Sequence, residues 1–417
     1  MNQAASEAQW ETLPNGLTLG VVVRQSAPSV AFRGSYQVGG RLDGPDDLGV
    51  SGLTAAALRR GTVRRSAAEL SELTDDLCAT FGFWAGVLSG GLSARCLGRD
   101  LDAVVPLLRE MFEEPAFAPA EVTKLLRQSE THLKEEADSP RSRADELLRG
   151  HYYDPSHPYA VTVDGLLAAL PGLTCERLAE FHAAHYGANG MTIVAVGDFN
   201  PERLRDLLAQ WKPGPTPAAA DPLPGPRASG PNSELLRVDM PHKSQNSLLM
   251  ALPGPTRLEP DFDLLRPANL ALGRIGLSGR LGERVRQQLG LVYSVSSDLR
   301  SHAWGGEWVF AAGVPRRGVE KARDAILAEL RTLRADPLSE SELADVKSYL
   351  IGSLPIRMET NDGIAATLLY LEEEGLGRDY LQCFEERVAR PSADEIHEAV
   401  QRWLDPDAVL SISAGPQ

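Results

Sequence analysis

Cysteine is scarce in this chain, and Cys78, Cys96, Cys175 and Cys383 form no C-x-x-C pair and no short-spaced framework. That scatter excludes a small disulfide scaffold, and the four read as free thiols that behave as small hydrophobes. A basic surplus is missing too: 57 acidic residues against 42 basic ones leave a formal charge of −15. Without a basic stripe or a polybasic patch, neither nucleic acid nor an anionic lipid surface is an expected partner. No run approaches the ~20 apolar residues of a membrane span. The first residues, Met-Asn-Gln-Ala-Ala-Ser-Glu, do not follow a basic region with an apolar one. The expectation is a cytoplasmic protein without membrane contact.

What is present is enough apolar sequence for full cores, 43% of 417 residues, interrupted once by a segment of different character. Residues 213–232, PGPTPAAADPLPGPRASGPN, are rich in Pro, Ala and Gly and lack apolar periodicity, so they read as a semi-rigid linker. The boundaries that follow are a first domain at 1–212, the linker at 213–232 and a second domain at 233–417.

The two halves repeat. Thr174 caps a helix carrying Leu178 and Phe181, a turn follows at Tyr186–Gly190, and Met191-Thr-Ile-Val-Ala-Val-Gly197 reads as a buried strand. Ser392 and Glu395 form a capping box before a helix with Ile396, Val400 and Trp403. Asp405-Pro-Asp and Val409–Gly415 then repeat the turn and the strand, and both Thr174/Ser392 and Gly197/Gly415 lie 218 positions apart. Helical spacing in Leu101, Val104, Val105, Leu108, Met111 and Phe112 is matched by Val319, Ala322, Ile326, Leu330 and Leu333. The helix with Val122, Leu125 and Leu126 is matched by Leu343, Val346 and Leu350. Strand-like runs open both halves, Leu17–Val23 after the Asn15-Gly16 turn and Asn246–Leu252. Strands mixed with long helices, without strict alternation, give an α+β class: two homologous tandem domains, each a mainly antiparallel sheet packed with helices.

In this order and spacing the chain resembles the pitrilysin/insulinase-type zinc peptidases, and within them the smaller members built like mitochondrial processing peptidase subunits. The residues that carry the likeness are Leu13-Pro-Asn-Gly-Leu17, Val38-Gly-Gly-Arg41, Gly61-Thr62, Asp138-Ser-Pro140, His157-Pro-Tyr159 before Gly165, Tyr186 through Asp198, and Leu281 through Tyr293-Ser. The resemblance implies the metallopeptidase LuxS/processing-peptidase kind of fold. It also implies an inverted zinc motif, H-x-x-E-H, on a first-domain helix, with a third ligand from a distant Glu.

In the register fixed by Gly49 and Gly61-Thr62, the two histidine positions fall on Gly52 and Ala56, the general base on Ala55, and the distant ligand on Thr131 or His132. One possible ligand cannot hold a catalytic zinc that needs three. His182 and His185, at i and i+3, have no acidic or Cys partner placed by spacing and read as ordinary helix histidines. The glycines Gly273, Gly276, Gly279 and Gly282 lack the Lys-Ser/Thr of a phosphate loop.

The family also uses an Arg and a Tyr seven residues apart in the second domain, and Arg286 and Tyr293 keep that spacing, at a helix end and in the strand after Gly290. Such an Arg can grip a carbonyl or carboxylate in bidentate fashion, and the Tyr hydroxyl can donate to an oxyanion. The bland reading of the same pair is a helix-end Arg favoured by the dipole and a Tyr in strand packing. The resemblance therefore implies a non-catalytic, substrate-binding subunit of a heterodimeric zinc metallopeptidase. It binds no cofactor itself, and a homologous partner supplies zinc for a peptide substrate. The alternatives are a structural or peptide-binding pseudoprotease, like the core subunits of respiratory cytochrome complexes, and an enzyme with a displaced metal site.

Overall fold

The computed structural model describes residues 8–217, 222–227, 234–274 and 279–417. Parts of the linker, 218–221 and 228–233, and Gly276 lie outside the described residues. Among the described residues the strands form two sheets. The first has the order β1-β2-β6-β3-β5-β4, from β1 (Gln9–Thr12), β2 (Thr18–Val23), β3 (Ser29–Tyr36), β4 (Thr80–Ala85), β5 (Gly90–Leu97) and β6 (Thr192–Gly197). The second has the order β7-β11-β8-β10-β9, from β7 (Leu235–Asp239), β8 (Gln245–Gly254), β9 (Ser294–His302), β10 (Gly305–Pro315) and β11 (Leu410–Gly415).

The repeat is visible in the topology. Removing β1 from the first sheet leaves two sheets of one order, each with a single parallel pair, β2 with β6 and β7 with β11, and antiparallel pairs elsewhere. Helices Cys175–His185 and Ala393–Trp403, and strands β6 and β11, fall 218 positions apart, cap to cap, with Thr174 and Ser392 as side-chain caps. The strand opening the first half has its counterpart in β7, not in 246–252, because β2 and β7 are the strands that run parallel to β6 and β11. The run at 246–252 is β8, which corresponds to β3.

Two compact units result, and both are discontinuous. One takes Met1–Leu133, Val163–Ala220 and Leu354–Gln382; the other takes Lys134–Thr162, Asp221–Ser353 and Cys383–Gln417. Each half of the chain thus gives one helix to the other's sheet. Helix Asn361–Glu373 packs on β3 and β6, and helix Pro140–Tyr152 packs on β8 and β11. Their caps, Ser139 and Thr360, lie 221 positions apart, and each hydroxyl accepts a backbone N–H of the first turn. In the first unit Arg33 forks onto Asp362 at 2.7 and 2.6 Å, and Asn361 donates to the Ser29 carbonyl at 2.9 Å. In the second, Ala144, Leu148 and Tyr152, at i, i+4 and i+8, are fully buried against Leu249, Ala251, Ile412 and Ala414. No helix among the described residues is long and apolar enough to cross a membrane.

Gly197 and Gly415 close the equivalent strands with φ of +148° and +145°. A Cβ at Gly197 would collide with the Ser29 carbonyl, and one at Gly415 would lie 2.7 Å from the Gln245 carbonyl. Both the backbone angle and the close approach demand glycine. Gly197→Ala and Gly415→Ala are therefore each expected to destabilise the protein by about 2–4 kcal/mol. Chemical denaturation of the two variants checks this, and a cost near zero at either position contradicts the equivalence.

Candidate functional site

Helix Val50–Ala57 carries Gly52, Ala55 and Ala56, the positions on which the resemblance would place two zinc ligands and the general base. It starts at Gly49, whose φ is +88°, and Asp43 caps it by accepting from Gly49 N at 2.8 Å and Ser51 N at 3.1 Å. Burial raises the Asp43 carboxyl pKa, and those same hydrogen bonds oppose the shift. The helix is intact, but its outward positions are bare. Ala55 is fully buried, Ala56 is half-buried, and a Cβ built on Gly52 meets nothing within 4 Å.

On helix Pro119–Ala137, Thr131 and His132 are both exposed, and the Thr131 hydroxyl donates to the Arg127 carbonyl of its own helix at 3.0 Å. No group of three or more His, Cys, Asp or Glu able to hold a metal occurs among the described residues. The donor set does not fit a zinc ion in this chain. His182 lies within 2.7 Å of the Phe112 carbonyl and stacks on Tyr186 at 4.7 Å, and burial lowers its pKa. A neutral imidazole bonded to a carbonyl in this way is a packing element.

The second unit carries Arg286 and Tyr293. Helix Pro260–Asn269 runs on through Leu270 to a kink at Gly273, whose backbone is not helical, and a π-wound segment, Gly282–Gln288, carries Arg286. Local π winding recurs at functional positions because it turns side chains away from the regular helical face. Leu281 and Val285 are fully buried and fix the segment on one side, while Arg284 and Arg286 are exposed. Gly290, with φ of +61°, ends it: its N–H reaches the Arg286 carbonyl at 3.1 Å, and Leu291 N reaches Val285 at 3.1 Å.

Tyr293 stands one residue before β9 rather than in the strand, tied by its N–H to the Gly313 carbonyl at 2.9 Å, with its side chain 64% exposed. The edge strand begins only where the ladder with β10 is established, and Tyr293 sits at its entry. Arg286 and Tyr293 are therefore exposed on either side of one corner of the chain, the turn at Gly290. Neither side chain has a hydrogen-bond or ion-pair partner among the described residues. That does not match the packing reading of the Tyr.

Sequence reasoning missed what supports this corner. Arg280 forks onto Glu342 at 2.6 and 2.9 Å, and the same carboxylate accepts from Ser339 N at 3.0 Å and Ser339 Oγ at 2.9 Å. Ser339-x-x-Glu342 is a capping-box pattern legible in the sequence, but its arginine partner lies 62 residues away. Beneath, Asn269, Ser297 and Trp308 form a buried polar triad, with Ser297 Oγ and Trp308 Nε1 donating to Asn269 Oδ1 at 2.6 and 3.0 Å. Gly279 packs on Gly273 so closely that an added Cβ would lie 2.8 Å from its Cα.

Comparison with known proteins follows this geometry. Residues 172–350 match the family model described as the peptidase M16 inactive domain. The chain is 23% identical over 379 residues to an uncharacterized zinc protease of Rickettsia felis, covering 88% of this chain and 86% of that one. It is 26% identical over 365 residues to an uncharacterized zinc protease of Mycobacterium tuberculosis, covering 85% and 81%. Among solved structures, a peptidase M16 inactive domain from Pseudomonas fluorescens superposes with a TM-score of 0.90 at 25% identity, over 99% of this chain and 98% of that one. A protease from Helicobacter pylori superposes with a TM-score of 0.88 at 16% identity, over 98% and 100%, which bears on the fold alone.

Two predictions arise here. Gly52, with open space around its missing Cβ, and Ala56, half-buried against the core, lie four residues apart on one helical face. Gly52→His/Ala56→His is expected to gain one zinc-binding event in calorimetric titration that the parent lacks; no gain means that the register assigned to this helix is wrong. The second concerns acid. The Arg280 hydrogen bonds lower the Glu342 pKa from 4.5 to about 2. A depressed folded-state pKa stabilises fully above the unfolded value, and the contribution is lost as pH falls through the folded one. The stability gap between the parent and Glu342→Gln is therefore expected to be constant above about pH 5 and to shrink progressively from pH 4.5 toward pH 2. Urea unfolding across that range checks it, and a constant gap would exclude the ion pair.

Proposed function

We propose that this chain, which resembles the M16, pitrilysin/insulinase-type, peptidases but has no zinc motif among its described residues, is the non-catalytic, substrate-binding subunit of a heterodimeric zinc peptidase. A homologous partner bearing H-x-x-E-H supplies the metal and the general base. This chain supplies Arg286 and Tyr293, and a cytoplasmic location is part of the reading.

The observation that carries the proposal is the asymmetry between the two halves. Gly52, Ala55 and Ala56 offer no donor on an otherwise well-formed helix, while Arg286 and Tyr293 stand exposed on an anchored corner. A purely structural role would be served as well by burying the pair. The guanidinium fork suits a peptide carbonyl or carboxylate, fixing the chain in register. The Tyr hydroxyl is a neutral donor for the oxyanion that develops on the scissile carbonyl. Neither action needs a metal in this chain, so both survive the loss of the ligand positions.

Co-expression with a homologous chain of the same organism that retains H-x-x-E-H tests this. Cleavage of a quenched peptide is expected to require both chains. Arg286→Ala and Tyr293→Phe are each expected to lower kcat/KM of the pair at least tenfold, about 1.4 kcal/mol of transition-state stabilisation. Full activity in both variants refutes the trans-acting role. Association with no activity would point to the structural pseudoprotease instead.

A further inference from the structure

We infer that Glu342, acting through Arg280, is a positioning residue for Arg286: the carboxylate fixes the direction in which the π-wound segment presents its one unpaired guanidinium. The inference rests on the function proposed above.

The three arginines of this stretch are treated differently. Arg280 has a side-chain exposure of 16% and forks onto Glu342. Arg284 lies 3.9 Å from Glu329, on helix Val319–Ala335. Arg286, alone of these three, has no partner among the described residues. Two carboxylates from two successive helices hold the base of the segment, and the charge farther along is left available.

Apolar anchoring alone does not give direction. Leu281 and Val285 bury the inner side of the segment, but such contacts tolerate small rotations about its axis. A bidentate fork is directional, since both N–H bonds must stay near the carboxylate plane. The Glu342 carboxylate is itself over-determined, with two donors from Arg280 and two from Ser339 at the first turn of helix Glu340–Arg357. Gly279 against Gly273 removes slack at the neighbouring backbone. A shift of about 1 Å at a group that contacts the transition state can cost a hundredfold in rate, so orientation is what such an anchor protects.

The test uses the reconstituted two-chain enzyme and a double-mutant cycle. Glu342→Gln and Arg280→Lys, the second keeping the charge but losing the fork, are each expected to lower kcat/KM about tenfold when Arg286 is present. In an Arg286→Ala background the same changes are expected to cost less than about twofold, because the residue they act through is gone. A merely structural pair would give losses that multiply in both backgrounds. In the isolated chain, hydrogen exchange at the Gly290 and Leu291 amides is expected to quicken about tenfold in Glu342→Gln, with the core strands unchanged. Multiplying losses, or variants indistinguishable from the parent, overturn the inference. If Arg286→Ala is itself harmless, the functional reading falls and takes this inference with it. If Arg286→Ala is impaired and both anchor variants are not, only this inference falls.

Discussion

The fold depends on burying both faces of one strand in each sheet. β6 is buried at every residue but its first, and β11 at every residue. A strand flanked on one face only would show alternation; Thr-Ile-Val-Ala-Val-Gly does not, and a continuous apolar run requires cover on both sides. One face of the first sheet is covered by helices of the same half, Leu101–Glu113 on β5 and Pro201–Leu208 on β2, and Ile193 and Ala195 of β6 share one core cluster with their side chains. The other is covered by a helix from the opposite half, Asn361–Glu373 for the first sheet and Pro140–Tyr152 for the second. Neither half of the chain contains all the cover its own sheet needs, so the two are expected to fold as a pair rather than one after the other.

The same exchange explains why the halves could diverge without losing their architecture. What the repeat preserves is backbone geometry: the helix caps at Thr174 and Ser392, those at Ser139 and Thr360, and the glycines that close β6 and β11. What it does not preserve is the chemistry laid on top. The first unit holds its exchanged helix with an Arg33–Asp362 fork, while the second uses Leu249 and its apolar neighbours around Leu148. A partly exposed ion pair contributes about 1 kcal/mol at most, so burial of the helix face is the main term in both units.

Much of this was legible in the chain. The constant offset of 218 positions linked two helices and two strands whose bounds agree residue for residue, because caps and positive-φ glycines are local signals. The exchange of helices was not legible. Helical periodicity at 140–152 shows that Ala144, Leu148 and Tyr152 share a buried face, but not which sheet that face meets. β7 was hidden for a related reason: five residues beside a proline-rich segment give too short a pattern for alternation. At the candidate site, the register that puts ligand positions on Gly52 and Ala56 came from the resemblance, and the structure adds that they lie on a well-formed helix. The Arg280–Glu342 fork was not legible, since nothing in a sequence pairs one arginine with a carboxylate 62 residues on.

An unpaired arginine is not peculiar to this corner: Arg95, Arg127, Arg317 and Arg357 are also exposed and without an ion pair among the described residues. An exposed arginine in a protein of net charge −15 gains by any neighbouring carboxylate, and the second unit uses that freely, as in Arg300 with Asp145 at 2.8 Å and Arg402 with Asp261 at 2.8 Å. Such surface pairs are individually weak, so drift makes and breaks them at little cost. Arg286 is likewise left unpaired, six residues after Arg280, whose carboxylate partner is fixed by four hydrogen bonds. Paired, its guanidinium would already be neutralised and would bind a peptide carboxylate only after breaking that bond. What sets Arg286 apart from the other unpaired arginines is that firmly held support, which on the function proposed above keeps its charge available to an incoming chain.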